Sequence, residues 1–101
     1  MARYKNITSG TSTTLIEKGS AHNGGIDKIT ISNNNTGVTA TGVDVALYDG
    51  TNTYYFIKDV KIPSGATLVL DENLSFNTSI YKLMIHHDSG SGNPNLTVII
   101  K

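Results

Sequence analysis

The sequence predicts an all-β domain: a single β-sandwich of about eight short strands with a jelly-roll-like arrangement. Two observations support this fold class. Serine, threonine, asparagine and glycine make up 42 of the 101 residues, and glutamine is absent, a balance that suits strands and tight turns better than helices. Apolar and polar residues also alternate over several short segments separated by turn residues, which is the pattern of half-buried strands.

The alternation is clearest between residues 25 and 48. Ile29 and Ile31 fall on one face of a strand, whereas residues 33–42 have no apolar pattern and are predicted to form a long polar loop. The next segment alternates inward and outward residues: Val43, Val45 and Leu47 inward, Asp44, Ala46 and Tyr48 outward. Such a period of two predicts a strand with one face on the core.

Turn residues then divide the second half of the chain. Asp-Gly within 49–52 predicts a hairpin, because both residues tolerate positive φ, with a return strand over 53–60. Pro63 and Gly65 predict a bend before a strand over 66–70. In the connection that follows this strand, Leu74 and Phe76 are predicted to pack into the core. The last strands are predicted over 79–87 and 95–101, joined by a turn-rich loop.

The N-terminal residues are the most polar part of the chain. We expect residues 1–24 to form an arm or edge strands and residues 25–101 to form the sandwich. Strand-like patterns around 4–8 and 13–18 leave both options open. Terminal arms of this kind often become ordered only on a partner. We therefore include Tyr4, Ile7 and Leu15 among the candidate interface residues.

Composition and charge argue against several classes of function. The formal net charge is zero, 16% of residues are charged and Arg3 is the only arginine, so no basic stripe for nucleic acid is visible. No cysteine is present for a disulfide or a thiolate nucleophile. No apolar run is long enough to span a bilayer. The first ten residues contain no apolar signal-peptide core, so we expect synthesis in a cytosol.

The sequence His86-His87-Asp88 is the one cluster that suggests metal or catalytic chemistry. In a strand, adjacent side chains point to opposite faces, so the two imidazoles could not converge on one ion. His22 is the only other histidine, in a glycine-flanked segment, and zinc would need further ligands. We therefore expect a strand end followed by a turn at Asp88, no catalytic residue, no cofactor and no metal. Calcium at 49–52 is disfavoured because the EF-hand spacing is missing.

Three tyrosines are the better candidates for a binding surface. Tyr48, Tyr54 and Tyr55 lie on the two strands joined by the predicted hairpin, and Tyr48 faces away from the core stripe. Outward aromatic residues serve protein interfaces or sugar-stacking platforms. Tyrosine can equally well fill a half-buried sheet position with its hydroxyl in water. All three readings remain open from sequence.

Four segments together resemble the small β-sandwich structural proteins of tailed phages, including phages similar to those that infect marine cyanobacteria. They are ITISN at 29–33, VDVALYDGTNTYYFI at 43–57, IPSGATLVL at 62–70 and LTVII at 96–100. The likeness covers residues 25–101. It is of moderate specificity, because the proline-glycine segment mainly encodes a turn followed by a strand.

This resemblance implies a structural protein of the virion, without catalysis, made in the host cytoplasm. The implied role is a capsid decoration (cement) protein that binds the major capsid protein or other virion proteins, as a homotrimer. A neck or tail accessory protein is the first alternative. A carbohydrate-binding module that uses the surface tyrosines is the second.

Overall fold

Two four-stranded antiparallel sheets form the body of the protein. A computed structural model describes residues 3–8, 11–19, 25–71, 74–88 and 94–101. The strands in these ranges are β1 (Arg3–Ile7), β2 (Ser12–Ile16), β3 (Gly25–Ile26), β4 (Ile29–Asn33), β5 (Ala40–Tyr48), β6 (Thr53–Ile62), β7 (Thr67–Leu70), β8 (Leu74–Ser75), β9 (Lys82–Asp88) and β10 (Leu96–Ile100). No described residue is helical, so the all-β prediction is confirmed.

The strands pair as a nested series. Sheet A has the order β1-β10-β4-β7, sheet B has the order β2-β9-β5-β6, and β3 pairs with β8 in a small separate ribbon. Strand β5 pairs with β6, β4 with β7, β3 with β8, β2 with β9 and β1 with β10. The chain is therefore one long antiparallel ribbon wound into two sheets, which is the jelly-roll topology.

The core lies between the two sheets and follows the predicted alternation. Ile29 and Ile31 are buried from sheet A, and Val43, Val45 and Leu47 are buried from sheet B. The other buried aliphatic residues of this cluster are Ile7, Ile16, Ile26, Ile62, Leu83, Ile85, Leu96, Val98 and Ile100. Every major strand except β7, whose Leu68 and Leu70 are partly buried, thus contributes at least one fully buried side chain.

The described part of the N-terminal segment belongs to the sheets. Strand β1 pairs with β10 and β2 pairs with β9, each at the edge of its sheet. Ile7 and Ile16 are buried in the core. These two strands therefore stabilise their own sandwich, and donating them to another protein as an arm would require both pairings to break.

The prediction of a long polar loop over 33–42 is wrong at its two ends. Asn33 is the last residue of β4 and is buried, and β5 begins at Ala40. The Asn33 amide donates to Val38 O (2.8 Å) and Ile62 O (2.9 Å), and its Oδ1 accepts from Asn35 N–H (3.0 Å). A polar side chain occupies an inward position here because backbone groups of the neighbouring loop satisfy it.

Both predicted turns after β5 are confirmed. Asp49 Oδ1 accepts the N–H groups of Thr51 (2.8 Å) and Asn52 (2.7 Å), and Gly50 has φ +103°. These backbone donors hold the pKa of Asp49 below its usual value. After β6, Ala66 N–H donates to Pro63 O (3.0 Å) and Gly65 has φ +76°. Each turn therefore uses glycine where the backbone is left-handed.

The strand predicted over 79–87 begins later than expected. Asn77 Oδ1 accepts Ser79 N–H (2.9 Å), and Asn77 O accepts the N–H groups of Ile80 and Tyr81. This Asx-type turn occupies 77–80, because the asparagine side chain competes with the sheet for backbone donors. Strand β9 then runs from Lys82 to Asp88. The predicted turn start at Asp88 is its last residue, and 89–93 lie outside the described residues.

Candidate functional site

A groove on the outer face of sheet B is lined by two tyrosines together with polar and charged side chains. Ala46 is opposite Tyr55 on one side and Met84 on the other, so these three share the outer face. The groove has a volume of about 350 Å³. Its lining residues are Ser12, Asp44, Ala46, Tyr48, Thr53, Tyr55, Lys58, Met84 and His86. An apolar floor with a few polar groups around it is typical of a ligand-binding surface.

Two polar side chains of this groove, Asp44 and His86, already contact each other. Asp44 Oδ2 lies 3.6 Å from His86 Nδ1. Asp44 Oδ1 accepts the N–H of Asp59 (2.6 Å), which stabilises the left-handed backbone of Asp59 at φ +59°. Asp44 therefore holds the backbone of β6 at Asp59, where the register between β5 and β6 shifts, and it also faces His86.

Lysine ammonium groups cover one face of each tyrosine ring in the groove. Lys58 Nζ lies 4.4 Å from the ring centroid of Tyr55, and Lys82 Nζ lies 5.5 Å from that of Tyr48. Both distances are within cation–π range. The Tyr48 hydroxyl donates to Gly50 O (2.9 Å). A ligand could stack only on the ring faces that the lysines leave open.

The structure brings together only two of the three predicted tyrosines. Tyr54 is opposite the buried Leu47, so it lies on the other side of β6 from Tyr55. Its ring meets that of Tyr81 edge to face, with centroids 6.0 Å apart. Tyr54 and Tyr55 are almost equally exposed, at 50% and 48%, which makes them a matched pair for testing either face.

Two of the three N-terminal candidates, Tyr4 and Leu15, line a second groove between β1 and β2. Arg3, Tyr4, Lys5, Leu15, Val98 and Ile100 line this groove of about 320 Å³. Tyr4 is 73% exposed, whereas Leu15 is half-buried against the core. Ile7 lies in the core, where its side chain has no surface to offer a partner. It is buried because its position on β1 faces inward opposite Leu96.

The two histidines of β9 point to opposite faces, as predicted. His86 is on the outer face, and His87 is 1% exposed, in the interior. Neither ring nitrogen of His87 has a hydrogen-bond partner. Burial, helped by the nearby His86, lowers the pKa of His87, and Asp88 opposes the shift. Within the described ranges, no three His, Cys, Asp or Glu residues are grouped to hold a metal.

Residues on the outer face of sheet A form a surface that no pattern in the sequence indicates. The pairing registers place eight outward residues in two rows. These are Tyr4, Ile99, Thr30 and Val69 in one row, and Asn6, Thr97, Ser32 and Thr67 in the other. All eight are uncharged, and we call this surface the neutral face. It could have been found only by knowing which strands are neighbours, because its residues come from four separate segments.

The polar groups of the neutral face bond among themselves. Ser32 and Thr67 hydroxyls lie 3.0 Å apart. Thr97 donates to Asn6 Oδ1 (2.9 Å) and accepts from Asn34 Nδ2 (2.7 Å). Side chains that are already hydrogen-bonded lose less when a partner removes water from them.

Comparisons with known proteins do not assign the chain to a family. No family model matches it, and no curated protein matches it. Among solved structures, the crystal structure of FLHE aligns with 99% of this chain and 94% of its own, at 12% sequence identity and a TM-score of 0.43. An alignment this weak carries no conclusion about shared function. In the described ranges, no helix has the length and apolar character to cross a membrane.

Proposed function

We propose that this chain is a structural protein of a tailed-phage virion, a capsid decoration protein that binds the major capsid protein and has no catalytic step. The observation that carries the proposal is the neutral face: eight outward positions on four adjacent strands without one charge. A shell-binding module needs a rigid surface that can lose its water at low cost. The sequence resemblance to phage structural proteins supplies the identity of the partner.

The neutral face can be buried against another uncharged surface at a low desolvation cost. Burying an unpaired charge costs several kcal/mol, and this face has none to bury. Tyr4 and Val69 are its most exposed apolar side chains. Four strands spaced about 4.8 Å apart span only about 15 Å, so one face is smaller than the roughly 800 Å² per partner of a stable interface.

Multivalent attachment follows from this small area. A homotrimer would present three neutral faces at once, and linked weak contacts bind far more tightly than a single contact. A trimer also fits the closed symmetry of most homo-oligomers. The proposal therefore includes a homotrimer in the virion, formed after synthesis in the host cytoplasm.

Immunogold electron microscopy tests the location. Antibodies against the purified chain, applied to virions of the phage that encodes it, should label the head surface. Label at the neck or tail would replace the capsid assignment with a neck or tail accessory role. Particles without label would overturn the virion assignment.

A binding assay then tests the face itself. Recombinant protein added to particles that lack it should restore labelling. Val69→Lys on the neutral face should abolish this binding because it puts a charge into the contact. Thr53→Lys is the matched control, at an exposed outward position on the edge strand of sheet B. Equal binding by both variants would show that the neutral face is not the contact.

The groove on sheet B supports a second candidate function, binding of neutral oligosaccharides. Tyr48 and Tyr55 offer ring faces, and Ser12, Asp44 and Thr53 offer hydrogen-bonding groups beside them. Wild-type protein should be retarded on immobilised hexose oligosaccharides in a saturable way. Tyr55→Ala should abolish the retardation, and Tyr54→Ala, on the other side of the same strand, should leave it intact. No retardation of the wild type, or loss with Tyr54→Ala alone, would exclude sugar binding in this groove.

A further inference from the structure

We propose that the outer edge of β1, with which no described strand pairs, accepts an extended acidic segment of a partner protein by β-strand addition. The partner segment would carry carboxylates at alternate positions, facing Arg3 and Lys5. This inference deepens the proposed function by naming the chemistry of the partner segment. It rests on that function only for the identity of the protein that carries the segment.

Strand β1 has the backbone regularity that strand addition requires. Its five residues pair with β10 without a register shift. Alternate residues of an antiparallel edge strand direct N–H and C=O away from their neighbour, and such a row is a template for another strand. The other edges are less suitable: the pairings of β2 and β6 contain register shifts, and β7 has four residues.

The side chains of this edge select the charge of the added strand. Arg3 and Lys5 are two residues apart and are opposite Ile100 and Val98, whose side chains face inward. They rim the β1–β2 groove together with Leu15. Among the described residues, no carboxylate lies within salt-bridge distance of either cation. Carboxylates two residues apart on an adjoining strand would face these cations across the ladder.

A second copy of this chain is a poorer occupant of the same edge. Antiparallel pairing of two β1 strands would bring their Arg3 and Lys5 side chains together, and opposed like charges destabilise a sheet. Charged side chains on edge strands can also serve only to prevent pairing with strands of other molecules. If Arg3 and Lys5 served only to prevent pairing, no extended peptide would bind at this edge. One peptide-binding experiment therefore distinguishes this role from the selection of an acidic strand.

Isotope-edited NMR of the full chain with three synthetic peptides provides that experiment. The probe is the capped peptide TVEVEVT, with TVKVKVT as the charge control and TVEPEVT as the backbone control, since proline removes one N–H from the ladder. The acidic probe at about 1 mM should shift the amide resonances of residues 3–7 and slow their hydrogen exchange. The lysine peptide should not shift them, and the proline peptide should bind at least several-fold more weakly.

A charge-reversed variant provides a positive control. Arg3→Glu with Lys5→Glu should weaken binding of the acidic probe about tenfold and create binding of the lysine peptide. Unchanged amide shifts in β4 and β9 would show that this variant is folded. The proposal is overturned if residues 3–7 do not respond up to about 5 mM acidic probe, or if all three peptides act alike. Neither result would alter the outcome of the virion labelling.

Discussion

Replacing Asn33 with alanine is expected to lower the free energy of unfolding by about 3 kcal/mol. The Asn33 side chain is 1% exposed and donates to two carbonyl groups, Val38 O and Ile62 O. Alanine leaves both without this donor, and a buried group deprived of its partner costs about 1–3 kcal/mol. The lost acceptor for Asn35 N–H adds to this cost. A change of this size corresponds to about 15 °C in Tm for a domain of this length.

Urea unfolding followed by circular dichroism measures this effect, and the neighbouring asparagine gives a matched control. Asn34 is exposed, and its amide donates to the Thr97 hydroxyl at the surface. Asn34→Ala should therefore cost no more than about 0.5 kcal/mol. If the two variants were equally stable, the hydrogen bonds from the Asn33 amide to Val38 O and Ile62 O would contribute nothing measurable to stability.

The same residue shows why part of the fold could not be predicted. Ile29, Ile31 and Val43 signal inward positions because each is apolar, and the alternation predicts their burial correctly. Asn33 is the next inward position on β4. Because its side chain is polar, the sequence predicts a loop there and not a buried strand residue. Its true environment is set by Ile62 O and Val38 O, which the chain brings close only after folding.

The candidate site was predictable to a similar extent. A period of two separates Tyr54 from Tyr55 once both are placed in one regular strand, and that step was open to sequence reasoning. The sequence could not predict that Asp44, Met84 and His86 lie beside one another, because this depends on the register between β5 and β9. Strand β5 also contains Gly42 at φ +61°, where a Cβ would fall on the Asp88 carboxylate. Shifts of register near such a residue have no periodic signal.

The nested pairing explains why function is sought on faces and edges in this molecule. In the two four-stranded sheets each inner strand pairs on both sides, whereas the end strands β1, β7, β2 and β6 pair on one side only, so these four carry the unpaired backbone groups of the two sheets among the described residues. Apart from the buried Asn33 and His87, the space between the sheets is filled mainly by aliphatic side chains. Ligands therefore have access to the two outer faces and the four edges, and these differ in charge. The neutral face suits a broad protein contact, whereas the β1 edge suits an acidic strand.

The second large effect is expected from pH, through His87. The pKa of His87 is lowered from its ordinary value of 6.5 in the folded protein, so the unfolded chain takes up the proton first as pH falls. Stability is therefore full above about pH 6.5 and is lost as pH falls from there toward the lowered pKa. One such group changes the free energy of unfolding by up to about 1.4 kcal/mol per pH unit. Asp49, whose pKa is also lowered from 3.8, acts at more acidic pH.

Urea unfolding at pH 7.5 and pH 5.0 tests this assignment with two variants of adjacent residues. His87→Leu should remove most of the loss between the two pH values. It should also be at least as stable as the wild type at pH 7.5, because the imidazole nitrogens have no hydrogen bonds to lose and an apolar side chain avoids their desolvation. His86→Gln alters an exposed residue and should keep most of the loss, since burial is the main cause of the shift. A wild type equally stable at both pH values, or a His87→Leu variant with the wild-type loss, would show that His87 is not the group that responds to acid.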